Sequence, residues 1–225
     1  MILPQRHEFW EQETARLFHR MEEEGVKVRV LNRQDGYEKW WERVAFSVAR
    51  VFNKKVETGL AAVLYDGKEA RVYLPLGSEA DHQSLSFHAL MRHECVHVLQ
   101  ARRIARGRLG AFLFALGYLL CLPAVWTLRA RWETEAYLES ARTWILAGAG
   151  SRHLEWLCDR WALLFRSSAY LFMDPKGAGG FAPDGKYRTL VIDKRLRPES
   201  TLNEIGFFPR HPADAIRPDP IPQEI

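Results

Sequence analysis

Residues 109–128, LGAFLFALGYLLCLPAVWTL, form a run of twenty residues without a charge, nominally enough to span a bilayer once. Arg102, Arg103, Arg106 and Arg108 precede the run, and Arg129 and Arg131 follow it. What the chain can do with this run is decided by what stands on either side. Upstream is His93-Glu94-Cys95-Val96-His97; downstream is RWETEAYLESAR, residues 131–142.

Two histidines four apart on a helix lie about 40° apart in azimuth and one turn apart in height, so both imidazoles can reach one Zn²⁺. Glu94 is rotated to the flank, where its carboxylate can take a proton from a water that the metal has acidified. Phe87, Met91, Cys95 and Val98 fall on the opposite face, so the helix can bury one side and present the pair on the other. The plainer alternative is a half-buried helix whose histidines bond to neighbours. Cys95 points away from the histidine face and reads as core, while Gln100 either caps a pocket or faces solvent.

A catalytic zinc needs a third protein ligand and one open position. Glu133 and Tyr137 are four apart and share a helix face, with Ala136 and Ser140 beside them to permit close approach. Glu135 is rotated by about 200° from Glu133, so the two cannot look at the same ion. Glu135 also has Arg131 and Glu139 at helical spacing, with Arg142 near Glu139, the pattern of a solvated charged face. Glu133 is therefore the predicted ligand and Glu135 a surface residue.

The metal reading then acts as a ruler. His97 and Glu133 must each come within about 2 Å of one ion. A single crossing through the uncharged run would hold their helices on opposite sides of about 30 Å of hydrocarbon, and two crossings need about forty apolar residues. What remains is a helical hairpin insert at 109–128, broken near Leu122-Pro123, that leaves and returns on one side. It packs on the protein's own core, on a protein partner, or dips into one leaflet; arginines on both flanks suit a same-side excursion near anionic lipid.

The rest of the chain predicts an α+β fold. QRHEFWEQETARLFHRMEEEG reads as an amphipathic helix with Phe9, Trp10, Leu17 and Met21 on its apolar stripe and Gly25 as a stop. VKVRVL, residues 26–31, reads as a strand, and a helix N-capped by Asp35 follows, with Trp41, Val44, Val48 and Val51 as its stripe. Residues 60–76 make a hairpin around Asp66-Gly67, giving a small antiparallel sheet. Helices are expected through His93, from about Arg131 to Leu146, and over residues 153–172. Beyond Asp174 lie Pro175, Pro183, Pro198, Pro209, Pro212, Pro218, Pro220 and Pro222, eight of the eleven prolines, so 174–225 is read as an extended Pro/Gly-rich tail with one strand at KYRTLVID.

A net charge of +4 and a pI near 9.0 give only a mild basic bias. With no aromatic-basic RNA motif, zinc-finger spacing or helix-turn-helix signature, nucleic acid is not an expected partner. Cys95, Cys121 and Cys158 are odd in number and lack paired spacing, which favours a reducing compartment over a disulfide framework. The first residues, MILPQRHEFWEQE, have no secretory pattern, so the expected location is cytoplasmic, at the membrane periphery if the insert dips.

His-Glu-x-x-His followed by Glu133-x-x-Ala136-Tyr137 resembles the gluzincin group of zinc metallopeptidases. The resemblance covers roughly residues 60–146. It implies a zincin-like metallopeptidase domain over residues 1–173, with zinc held by His93, His97 and Glu133, Glu94 as general base, and a peptide or protein as substrate. It also implies a sheet edge above the active-site helix, for which ARVYLP, residues 70–75, is the candidate, holding an extended peptide by strand addition. Many gluzincins carry Asp four residues after the Glu ligand, where this chain has Tyr137; its hydroxyl bonds a ligand histidine, faces the substrate oxyanion, or belongs to a core tyrosine. The pattern with an apolar segment between its halves also resembles small proteins of tailed bacteriophages, which implies a virion as the alternative location.

Overall fold

The computed structural model of the chain describes residues 7–52, 61–75, 81–104, 123–167, 180–196, 200–210 and 212. In order these form helix α1 (His7–Glu23), strand β1 (Lys27–Asn32), a 3-10 turn (Arg33–Asp35), α2 (Trp40–Phe52), β2 (Ala62–Tyr65), β3 (Glu69–Leu74), α3 (Leu85–Ile104), α4 (Pro123–Leu146), α5 (Ser151–Arg166), α6 (Lys186–Ile192) and a second 3-10 turn (Thr201–Ile205). The chain is thus a mostly helical mixture of helices with one small sheet.

α1 follows its hydrophobic period. Phe9, Trp10, Leu17 and Met21 are all buried, and Gly25 closes the helix at φ 78°, a left-handed angle that favours glycine. β2 and β3 form the expected hairpin, whose turn is tied by Asp66 Oδ1 accepting from the amides of Lys68 (3.1 Å) and Glu69 (2.9 Å).

The sheet itself differs from expectation in two respects. It is mixed, because β1 runs parallel to β3 in the order β1-β3-β2. β2 starts at the end of the sheet where β1 stops and runs back antiparallel to β3, so β3 sets out from the end where β1 began and points the same way. β3 (the ARVYLP strand) is consequently central, with both flanks paired, and cannot accept a peptide by strand addition. Among the described residues the edges are β1 and β2.

α2 also begins later than expected, at Trp40, with Asp35 ending the preceding 3-10 turn. Of its described side chains Glu42 and Phe46 are buried and Trp41 is partly so, while Val44 is 51% exposed; the side chains of Val48 and Val51 lie outside those described. The stripe is polar at one position because Glu42 forms a buried ion pair with Arg71 of β3 and accepts from the Tyr73 hydroxyl (2.7 Å). A buried arginine on the sheet imposes a carboxylate on the helix above it.

α3 is the central helix: every residue from 91 to 100 is buried. α1, β2, α4 and the Thr201–Ile205 turn surround it. α4 starts at Pro123 rather than near Arg131, with proline at the first helical position, where its missing N–H costs nothing. The expected break at Leu122-Pro123 coincides with this start. The insert's residues 109–122 lie outside the described residues. No helix among the described residues is long and apolar enough to cross a membrane.

The described part of 174–225 is not an extended tail. KYRTLVID is helical as α6, with Arg188 and Val191 buried at a spacing of one helical turn. Arg188 bridges to Glu155 (3.0 Å) and Asp159 (2.5 Å) of α5. A Cβ at Gly185 would lie 2.2 Å from the Gly180 carbonyl oxygen, so only glycine lets α6 fold back this tightly. Leu202, Ile205 and Phe207 complete the core around α3. Prolines forbid long helices but not a two-turn helix or a 3-10 turn, and Pro183 and Pro209 stand outside both.

Candidate metal centre

α3 places His93 and His97 one turn apart, and α4 brings Glu133 against them. The approach is close because Ala136 is fully buried at the contact and the Ser140 hydroxyl donates to the Ala89 carbonyl of α3 at 3.3 Å. His93 Nε2 and His97 Nε2 stand 3.1 Å apart, and Glu133 Oε2 lies 3.4 Å from the first and 3.6 Å from the second. An ion bound tetrahedrally through bonds of about 2.0–2.1 Å holds its donors about 3.3–3.4 Å apart, so the triangle has the size such an ion requires. Two imidazoles and a carboxylate are also the donor set that suits a borderline divalent cation.

All three candidate ligands, His93, His97 and Glu133, are buried, at 7%, 5% and 3% exposure. Among the described residues no fourth His, Cys, Asp or Glu joins them, which leaves one coordination position for something other than protein.

Burial would depress the His97 imidazole, but the Glu133 carboxylate, with Glu94 and Gln100, outweighs it and pushes its pKa up to about 9. Burial likewise opposes ionisation of Glu133, yet the two imidazoles hold its carboxyl well below the usual range. A proton on His97 thus occupies the charge balance that a cation would take over, and metal binding must release it. Glu94 is buried beside the pair, and burial pushes its carboxyl up against the pull of His93, His97 and Arg33.

The remaining candidates separate clearly. The Tyr137 ring packs edge-on against His93 (centroids 4.7 Å apart) and joins Trp161, Phe165 and Phe181 in an aromatic cluster. Cys95 is buried as an unbridged thiol in the core, as expected. Glu135 is not one of the three donors, but it is not a solvated surface carboxylate either: it is only partly exposed and accepts from Gln100 Nε2 (2.8 Å) and from the Thr201 hydroxyl.

The charged face needs a further correction at Glu139, and the two alternatives for Gln100 are decided in favour of the buried one. Glu139 is fully buried and paired with Arg92 of α3, with Arg142 (2.9 Å) and the Ser200 hydroxyl (2.6 Å) on its other oxygen. Its spacing from Glu135 suggested solvent; the partner from another helix put it inside. Gln100 is 1% exposed and bonded to His97. Its position three residues after His97, on the same helix face, was the signal available for that contact.

In comparisons with known proteins, no family model matches this chain, and no curated protein or solved structure matches it.

Proposed function

We propose that this chain is a zinc-dependent metallopeptidase with His93, His97 and Glu133 as the metal ligands and Glu94 as the general base. The observation that carries the proposal is the convergence of three donor atoms at 3.1, 3.4 and 3.6 Å, which no fourth His, Cys, Asp or Glu joins among the described residues. When bound there, zinc supplies a Lewis acid that polarises a carbonyl and acidifies a water.

The chain's own residues do the rest. Glu94 follows His93 directly, so its carboxylate is held at the flank of the ligand pair. It takes the proton of the attacking water and passes it to the leaving amine nitrogen. Burial raises the carboxyl's proton affinity, the direction that suits a group that must accept a proton and return it. Tyr137 braces the His93 ring. The gluzincin resemblance of HECVH with ETEAY supports this reading independently of the geometry.

A second reading, a metal-held structural centre without turnover, is favoured by the burial of Glu94 at 5% exposure together with all three ligands. Glu94→Gln separates the two. Under the peptidase reading it abolishes cleavage of a peptide library while bound zinc is unchanged. Cleavage persisting at the wild-type rate would sink the mechanism, and zinc bound by a wild type that cleaves nothing selects the structural centre.

A further inference from the structure

His97 has two ring nitrogens, and only one can meet a cation. Nε2 belongs to the donor triangle. Nδ1 lies 2.9 Å from Gln100 Oε1. Whether this contact helps or hinders metal binding depends on which atom carries the proton, and that depends on which way the Gln100 amide faces.

The surroundings settle the amide. Its nitrogen, Gln100 Nε2, meets the Trp132 carbonyl oxygen at 3.1 Å and Glu135 Oε2 at 2.8 Å. Both partners are acceptors only, so the NH₂ end must face them, and turning the amide over would set oxygen against two oxygens. The amide oxygen therefore faces His97 and accepts. His97 must donate from Nδ1, which leaves the Nε2 lone pair directed into the triangle.

Glu135 is fixed in its turn. Its other oxygen, Oε1, accepts from the Thr201 hydroxyl, and Arg103 stands 3.6 Å away. Thr201 opens the C-terminal 3-10 turn, which is anchored by Leu202 and Ile205 in the core and by the Arg103–Glu204 ion pair. Three separate pieces of chain thus converge on one histidine: α3 supplies His97 and Gln100, α4 supplies Trp132 and Glu135, and the segment after residue 200 supplies Thr201.

Resting on the metal-site reading above, we propose that Gln100 is the positioning residue of the centre: clamped by Trp132, Glu135 and Thr201, its amide holds His97 in the tautomer that offers Nε2 to the metal. Glu135 acts as the counterweight that keeps the amide from turning. The C-terminal turn sets metal affinity although it contributes no ligand.

The test is metal binding, which does not depend on finding a substrate. Full-length protein is stripped with chelator and titrated with Zn²⁺ against a competing indicator, and with Co²⁺ to read the visible absorption of the bound ion. Gln100→Leu lowers Zn²⁺ affinity about 10–100-fold and alters the Co²⁺ spectrum, while circular dichroism of the metal-free protein is unchanged. Gln100→Glu alone is also weak, since it sets two carboxylates against each other. The double exchange Gln100→Glu with Glu135→Gln re-forms an N–H···O contact between the two positions and keeps an acceptor on His97 Nδ1, but leaves a carboxylate oxygen against the Trp132 carbonyl, so it recovers part of the affinity lost in Gln100→Glu. A merely structural role for Gln100 predicts no such recovery.

Should Gln100→Leu fail to fold, Glu135→Gln tests the same clamp from a side chain that is 35% exposed, with a smaller loss of affinity expected. Wild-type affinity in Gln100→Leu, or no recovery in the double exchange, overturns the inference. A wild type that binds neither ion overturns it together with the metal-site reading. Metal bound normally with no cleavage of any peptide overturns the peptidase reading alone.

Discussion

Glu133 Oε2 lies 3.6 Å from His97 Nε2, although the whole uncharged run of residues 109–128 separates them along the chain. Two groups this close cannot stand on opposite faces of a hydrocarbon layer about 30 Å thick. The chain that leaves α3 returns to it, and the contact made on return is between a carboxylate and two imidazoles.

That contact predicts a ligand hierarchy. Glu133→Ala loses tightly held metal, whereas Glu94→Gln keeps about one ion per chain. Elemental analysis after exhaustive dialysis measures both. Full retention of metal by Glu133→Ala would remove residue 133 from the ligand set and with it the hydrolase proposal.

The Arg92–Glu139 pair makes a prediction about stability alone. Both side chains are 1% exposed, so deleting one partner strands a buried charge. Glu139→Ala costs about 3–5 kcal/mol, while joint replacement of both by apolar residues of similar volume costs far less. Urea midpoints of the two variants measure the difference. Equal losses in both would show that packing, not the unpaired charge, sets the penalty.

A third prediction concerns pH and the metal-free protein. The Thr14 hydroxyl donates to the Trp10 carbonyl (2.9 Å), so it accepts from Nδ1 of the buried His88 (2.9 Å). Burial, with Arg92 and Arg16 nearby, holds the His88 pKa well below the ordinary imidazole value. The unfolded chain then takes a proton that the folded chain refuses, and stability is lost as pH falls below about 6.5. His97 has the opposite sign: with its folded pKa at about 9, its contribution is complete below the unfolded value and lost as pH rises through about 9. Chelator-treated protein is therefore most stable near pH 6.5. Urea midpoints across pH 5–10 read the curve; His88→Phe flattens the acid limb, a profile that only rises with pH would contradict the His97 assignment, and one that only falls would contradict that of His88.

Much of the site was legible before any fold was known. The spacing of His93 and His97, the helical offset that separates Glu133 from Glu135, and the small residues Ala136 and Ser140 follow from the geometry of one helix at a time. So do the apolar stripe of α1 and the Asp66-Gly67 hairpin. In each case the determining contacts lie within a few residues along the chain, where covalent geometry is the constraint.

What the sequence by itself determined was therefore periodicity: which residues share a face, and which two histidines could share an ion. Tertiary structure alone decided the partners across elements. It paired β1 with β3 in parallel, which turned a candidate edge strand into a central one, and it sank Glu139 against Arg92. It folded the proline-rich segment back so that Thr201 could hold Glu135, Glu135 could hold Gln100, and Gln100 could orient His97. Each of these depends on groups far apart in the chain, and a polar side chain reads the same in sequence whether it ends in water or against a buried partner. The difference is made by desolvation and by the charge or hydrogen bond that offsets it, and those exist only once the helices have met.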